Sequence, residues 1–210
     1  MAGQEAITAQ YDRVAPWYRA LSPLFLINPL MRRKAVAAMA LRPGDAVLEV
    51  GVGSGRNLPY LLDAVGPSGA VVGVDLSNGM LAEARKLVDR RGATNVHLIE
   101  ASAATVEYDR DFDAVLFSLS YSAMPEPRPA LARAWERLRP ASRVVVLDAG
   151  LTQGGLWRLL APIARLLVKY APGDAYSDPW SDLAAYGPVE TKRFLLGFFY
   201  VSAVAKPQST

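Results

Sequence analysis

Along this chain, short unbroken apolar runs alternate with stretches in which apolar residues recur at helical spacing. Ala46–Val50, Ala70–Val74 leading into Asp75, Val96–Glu100, Phe112–Phe117 and Arg143–Asp148 read as strands. Runs of this length without polar alternation fit strands covered on both faces. Asn57–Val65, Asn78–Arg91 and Pro129–Leu138 read as helices between them. In the second helix Met80, Leu81, Ala84, Leu87 and Val88 share one face, Lys86, Asp89 and Arg90 face outward, and Gly92 is placed to end it. Such alternation predicts a parallel sheet wrapped by helices. Val189–Leu195, Gly197 and Phe198–Ala205 read as a C-terminal hairpin.

Two segments stand outside this alternation. Residues 1–40 carry Tyr11, Tyr18 and an apolar run broken by Pro23 and Pro29. Residues 151–186 carry a helix pattern around Leu156–Tyr170 and the aromatics Tyr176, Trp180 and Tyr186. The first is expected to form a lid and the second a substrate-side insertion, over the carboxyl ends of the strands where open α/β sheets bind ligands. Core packing or a dimer interface is the alternative use of their apolar residues. No repeat or linker divides the chain, so a single domain over residues 1–210 is expected.

The richest local chemistry lies at Glu49-Val50-Gly51-Val52-Gly53-Ser54-Gly55, between the first strand and the first helix of the alternating region. Glycines at such a turn permit positive φ and bring backbone N–H groups close to a ligand. Asp75, at the end of the next strand, suits the two hydroxyls of a ribose. The ligand therefore contains a nucleoside. A dinucleotide fingerprint would be G-x-G-x-x-G; here the third glycine comes one position early and Arg56 takes its place. Glu49 would repel a pyrophosphate and suits a ligand with an ammonium group.

With Val72-Gly73-Val74-Asp75-Leu76-Ser77-Asn78-Gly79-Met80-Leu81, this loop resembles the class I S-adenosylmethionine (SAM) dependent methyltransferases, over roughly residues 9–206. The resemblance implies an α/β fold: a Rossmann-like, seven-stranded, mostly parallel sheet closed by a C-terminal antiparallel hairpin, with helices on both faces. It implies SAM as cofactor, with Gly51, Gly53 and Gly55 against its methionine part and Glu49 at the ammonium. Asp75 would take the ribose, and Leu76 and Met80 the adenine. Many relatives carry Gly-Asp-Ala after the third strand, its Asp meeting the adenine amine. This chain has Ala101-Ser102-Ala103, so Ser102 is the weaker, neutral counterpart, or simply a loop serine. Ser118 is expected on the methionine side.

The N-terminal Tyr11-Asp12-x-x-Ala15-x-x-Tyr18 pattern is similar to quinone C-methyltransferases and bacterial phospholipid N-methyltransferases. In those relatives the segment covers SAM. That makes Tyr11 the expected lid contact and Tyr18 a candidate facing the acceptor, with packing on the sheet as the alternative for both. The Arg-Asn pair of the quinone group is replaced by Phe117-Ser118-Leu119-Ser120-Tyr121-Ser122, and its Pro-Gly-Gly by Pro140-Ala141-Ser142. Tyr121 is a second candidate facing the acceptor. Asp148 would orient an amine or take a phenolic proton, or else cap the helix that follows. His97, the only histidine, lies inside a strand and is read as structural. The catalytic candidates are thus Asp148, Tyr18 and Tyr121.

Composition narrows this picture modestly. The 210 residues are 51% hydrophobic and 20% charged, as in a globular protein, with a net charge of +3. The absence of cysteine excludes disulfides, thiolate nucleophiles and Cys-type zinc sites, and no metal is expected. No signal peptide or membrane span is expected, which fits a cytoplasmic protein. The expected partner is a small-molecule or lipid-like acceptor (secondary metabolite, quinone or phospholipid amine). Nucleic acid is not expected, because acids are interspersed with the bases. Arg32-Arg33-Lys34 suggests either peripheral contact with anionic headgroups or a solvated helix face. Competing readings are an RNA or protein methyltransferase, a non-catalytic SAM-binding protein, and a NAD-linked oxidoreductase.

Overall fold

The computed structural model describes residues 29–149, 179–194 and 197–208. Tyr11, Tyr18, the helix pattern expected around Leu156–Tyr170 and Tyr176 lie outside the described residues. In chain order the described elements are α1 (Pro29–Ala38), β1 (Ala46–Val50), α2 (Leu58–Val65), β2 (Ala70–Asp75), α3 (Asn78–Arg91) and β3 (Val96–Glu100). There follow β4 (Phe112–Ser118), α4 (Pro127–Glu136), β5 (Leu138–Ala149), α5 (Pro179–Ala184), β6 (Val189–Phe194) and β7 (Phe199–Ala205). The seven strands form one sheet in the order β3-β2-β1-β4-β5-β7-β6. β1 to β5 pair in parallel, while β7 runs antiparallel to both β5 and β6. The order reverses between β1 and β4, the point at which ligands bind in open α/β sheets.

The unbroken apolar runs arise because both faces of the central strands are covered. Val47, Ala114, Leu116, Val145 and Leu147 point to one side, where Met31, Ala35, Leu58, Leu61 and Leu81 of α1, α2 and α3 pack on them. Leu48, Val50, Val115, Phe117, Val144 and Val146 point to the other, against Ala130 and Leu131 of α4 and Leu183 of α5. Each fully buried Leu or Phe in these layers stabilises the fold by about 1.5–3 kcal/mol. By the same alternation Glu49 shares the face of Val47, beneath α1 and α2. That parity determines its neighbours.

Most elements agree with the pattern along the chain. α3 spans the expected residues: the Ser77 hydroxyl accepts the Met80 N–H at its start, and the Gly92 N–H returns to the Asp89 and Val88 carbonyls at its end. α4 differs, beginning and ending two residues earlier than expected. Pro127 fits the first turn of a helix, where its missing N–H has no partner to lose. Leu138 leaves the helix pattern because it pairs with Phe112, so β5 begins there and not at Arg143. The register shifts between Phe112 and Ala114, and Ala141 takes φ +62° while its N–H donates to the Lys206 carbonyl at 3.0 Å. Among the described residues no helix is long and apolar enough to cross a membrane.

Candidate functional site

An open cleft at the carboxyl ends of β1, β2 and β4 gathers most of the expected residues. It is lined by Glu49, Gly51 and Gly53 from the first turn, Asp75, Leu76 and Met80 from the second, Ser102 and Ala103 after β3, and Ser118 at the end of β4. Its empty volume, open mouth included, is about 1070 Å³, ample for a nucleoside-sized ligand.

The turn after β1 is held by backbone and by Asp75. The N–H groups of Gly51 and Val52 both donate to the Val74 carbonyl, at 2.8 and 3.1 Å. The Gly53 N–H donates to Asp75 Oδ2 at 2.8 Å, and the Ser77 N–H to Oδ1 at 2.9 Å. The three glycines have different reasons to be glycine. A Cβ on Gly51 (φ +74°) would stand 2.4 Å from Ser120 Cβ, whereas one on Gly53 (φ +53°) would meet nothing within 4 Å. Gly53 therefore leaves its space to the cleft, and Gly51 leaves its space to the loop after β4. Gly55 does not line the cleft; it makes room for Leu58 and Ala84, and its N–H is taken by the Val52 carbonyl. Of the three glycines, Gly51 and Gly53 line the cleft and Gly55 does not.

Glu49 is 1% exposed. Its Oε1 accepts the Asn57 side-chain amide at 2.5 Å, and Asn57 Oδ1 in turn accepts from Arg32 at 2.7 Å. Burial, with a smaller push from Asp75, raises the Glu49 carboxyl to about 7, against the pull of Asn57 and Arg32. Its Oε2 has no hydrogen-bond partner among the described residues, and neither does the buried Ser118 hydroxyl. Arg32 itself is 8% exposed and lines the cleft. Arg33 and Lys34 of the basic triplet are exposed, and Arg32 is not, so the triplet does not form one solvated face. Arg32 and Asn57 were not candidates from the sequence. Face parity at Glu49 was the one available signal, because it puts that carboxylate under the helices that supply them.

The loop after β4 is the other unforeseen feature. Leu119 lines the cleft at φ +57°, a conformation unusual for a bulky residue. It is held by its N–H to the Leu147 carbonyl at 2.7 Å and by the neighbouring Ser120 hydroxyl, which donates to the Val50 carbonyl at 2.6 Å. Ala123, Met124, Pro125 and Ala130, with Ala101, Ala103 and Ala104, continue an apolar wall. Ser102 remains on that wall, its hydroxyl accepting the Ala104 N–H at 3.3 Å.

Two of the catalytic candidates are not in the cleft. Tyr121 is buried on the far face of the sheet, edge-on to Phe117 at 5.3 Å, and its hydroxyl donates to Asp182 at 2.9 Å. Burial, then the Asp182 hydrogen bond, holds its phenol well above the ordinary tyrosine value. Asp148 is 2% exposed and accepts three hydrogen bonds, from the Ser122 N–H and hydroxyl at 2.9 Å each and from the Ala149 N–H at 2.8 Å. Burial raises it to about 6 despite those donors. It clasps the turn after β4 and does not line the cleft, and the segment it was expected to cap lies outside the described residues. His97 lies exposed on the edge strand β3, away from the lining.

The residues present fit SAM. A buried, partnerless carboxylate oxygen and hydroxyl face the cleft near the glycine turn, a gap beside Gly53 remains open, and a carboxylate stands at the end of β2.

Comparison with known proteins agrees. Residues 47–141 match the family model for a methyltransferase domain. Aklanonic acid methyltransferase DauC of a Streptomyces species is 29% identical over 178 residues, 84% of this chain and 80% of that protein. The ubiquinone/menaquinone biosynthesis C-methyltransferase UbiE of Ectopseudomonas mendocina is 28% identical over 69% of this chain and 58% of its own length. This chain thus spans under two thirds of that relative. In fold, it superposes on a SAM-dependent methyltransferase from Aquifex aeolicus with a TM-score of 0.65 at 21% identity, covering 88% of this chain and 96% of that one. It also resembles a chain of the complex between the Haloferax volcanii Trm112 methyltransferase activator and a methyltransferase, with a TM-score of 0.75 at 14% identity, covering 94% and 98%. Together the matched domain and these relatives support a SAM-dependent methyltransferase with SAM as its cofactor.

Proposed function

We propose that this enzyme transfers the methyl group of SAM to a small apolar or lipid-like acceptor. In this reading Glu49 faces the ammonium of the cofactor, Ser118 and the Gly51–Gly53 turn line its methionine side, and Asp75 takes the ribose hydroxyls. Leu76 and Met80 flank the adenine. SAM supplies a methyl carbon activated by its sulfonium, leaving the protein to orient the acceptor and exclude water.

The observation that carries the acceptor class is an aromatic pair at the carboxyl end of the sheet. Trp180 lies edge-on to Tyr200 at 5.0 Å, and Tyr200 pairs with Asp148 at the end of β5. That end also holds the cofactor cleft. The names of DauC and UbiE refer to aklanonic acid and to ubiquinone/menaquinone biosynthesis, and these small molecules support the reading.

Incubation of the protein with methyl-labelled SAM and a bacterial extract, followed by solvent partition, tests it. Label entering the organic phase is the expected result. Label confined to the aqueous phase would overturn the apolar acceptor and favour a polar metabolite, RNA or protein.

A further inference from the structure

The aromatic pair at the acceptor end of the sheet continues into a cation. The Arg193 guanidinium lies 5.0 Å over the ring of Trp180, which is itself edge-on to Tyr200 at 5.0 Å. Asp148 of β5 pairs with Tyr200 of β7, and Tyr200 pairs with Arg193 of β6, so the three form one row across the sheet. Directly paired residues project from the same face, and Tyr200 and Arg193 therefore share the face on which Trp180 packs. The row starts beside the cleft, because Ser118, a lining residue, pairs with Leu147, the residue before Asp148. Core packing does not account for a charge at its far end. Arg193 is exposed, and among the described residues it forms no ion pair. Asp182, two residues from Trp180, is taken by Arg128 at 2.7 Å and by the Tyr121 hydroxyl at 2.9 Å.

Resting on the apolar-acceptor reading, we propose that Arg193, held over Trp180, is a specificity-determining residue that binds an anionic group of the acceptor, a carboxylate or a phosphate, remote from the methylated atom. The contact with Trp180 is to the face of the ring and consumes none of the five N–H donors of the guanidinium. Those donors form a planar fork matched to either oxyanion. Lys192 does not compete, since side chains alternate along a strand and Lys192 projects from the opposite face. Three strand spacings of roughly 4.8 Å separate β4 from β6, so the acceptor spans about 10–15 Å once the reach of the arginine is allowed for. Trp180 offers its apolar body a surface on the way. The acceptor class is thus an amphiphile, apolar along its length and acidic at one end.

The test incubates wild type, Arg193→Met and Arg193→Lys with methyl-labelled SAM and a bacterial extract. Products are acidified before solvent partition, so that an apolar acid enters the organic phase. The organic label is then passed over an anion exchanger at neutral pH. Retention of the wild-type product is expected; release by mild acid marks a carboxylate, and retention through it a phosphate. At limiting extract Arg193→Met should label this product about tenfold more slowly or worse, the effect of losing a charged hydrogen bond. The deficit should narrow as the extract is concentrated, and Arg193→Lys, which keeps the charge without the fork, should fall between the two. Calorimetric binding of S-adenosylhomocysteine (SAH) should be unchanged in both variants, since Arg193 does not line the cofactor cleft. Organic label that passes the exchanger unretained overturns the anionic group and leaves the apolar reading standing. An unaltered rate in Arg193→Met, or SAH affinity lost in parallel with the rate, overturns the role of Arg193. Should Arg193→Met not fold, the wild-type product and Arg193→Lys decide, and an unretained product or a wild-type rate in Arg193→Lys overturns the proposal. Label confined to the aqueous phase after acidification overturns the apolar acceptor itself.

Discussion

Asp75 accepts the backbone N–H of Gly53 at 2.8 Å, so the acid that ends β2 also holds the turn that follows β1. Its second oxygen does the same for Ser77, at the entrance to α3. One carboxylate thus joins the two loops that flank the nucleoside end of the cleft. Each of these backbone contacts uses one lone pair on its oxygen, and a carboxylate oxygen can accept two hydrogen bonds.

Asp75→Ala should therefore do two things. SAH affinity should fall by about 1.5–3 kcal/mol, the value of a charged hydrogen bond. The Gly53 amide should also exchange faster with deuterium. Unchanged affinity would sink the ribose assignment, and unchanged exchange would sink the scaffold role.

The two cleft glycines should fail differently. Gly51→Ala drives a methyl into Ser120 Cβ at a positive φ, and we expect a loss of about 1–3 kcal/mol of stability, read by denaturant melts. Gly53→Ala meets no neighbour, so its stability loss should stay near the ~1 kcal/mol of a left-handed alanine. Its methyl instead enters the cofactor space, and SAH binding should suffer more than in Gly51→Ala variants that remain folded. The reverse ranking would reject this division of roles.

Glu49 makes binding and stability oppose each other with pH. Its carboxyl rises from 4.5 to about 7 in the folded protein, chiefly through burial. A raised folded value means that its contribution to stability is full below about pH 4.5 and is lost as pH climbs through 7. At 1.36 kcal/mol per unit, the loss is up to roughly 3 kcal/mol. An ammonium ligand needs the ionised form, so SAH affinity should rise with pH across the same window and then level off. Glu49→Gln should melt higher than wild type at pH 8 without ligand, bind SAH more weakly, and lose the pH dependence of binding. Retention of that pH dependence would assign it to another group.

Asp148→Asn separates a clasp from a base. An amide must turn an NH2 toward one of the donors of Ser122 or Ala149, leaving like groups opposed. We expect a loss of about 1–3 kcal/mol of stability, with turnover per folded molecule within about threefold of wild type. Loss of a general base would instead lower turnover by about 10²–10⁴ at undiminished stability.

Much of this architecture was legible from local pattern. The strand runs, the bounds of α3 and the glycine turn all follow from side-chain periodicity and turn chemistry, which involve residues a few positions apart. Tyr121 and Asp148 do not line the cleft, because adjacency to the fourth and fifth strand ends does not say which face a side chain takes. Tyr121 turned to the α4 side, where Phe117 and Asp182 receive it. Asp148 lies on that same parity and met Ser122 instead of the cleft.

By itself, then, the sequence determined that β1 carries Glu49 next to its last residue and runs into a glycine turn, and that β2 ends in Asp75. Local backbone preferences compel those features in any packing that keeps the sheet parallel. Only the tertiary structure decided that Arg32 reaches Asn57, 25 positions away, and that Asn57 reaches Glu49. A buried cation draws its partners from whatever neighbouring elements bring within hydrogen-bond distance. The packing of α1 and α2 on one face of β1 made a surface-looking arginine part of the cofactor wall.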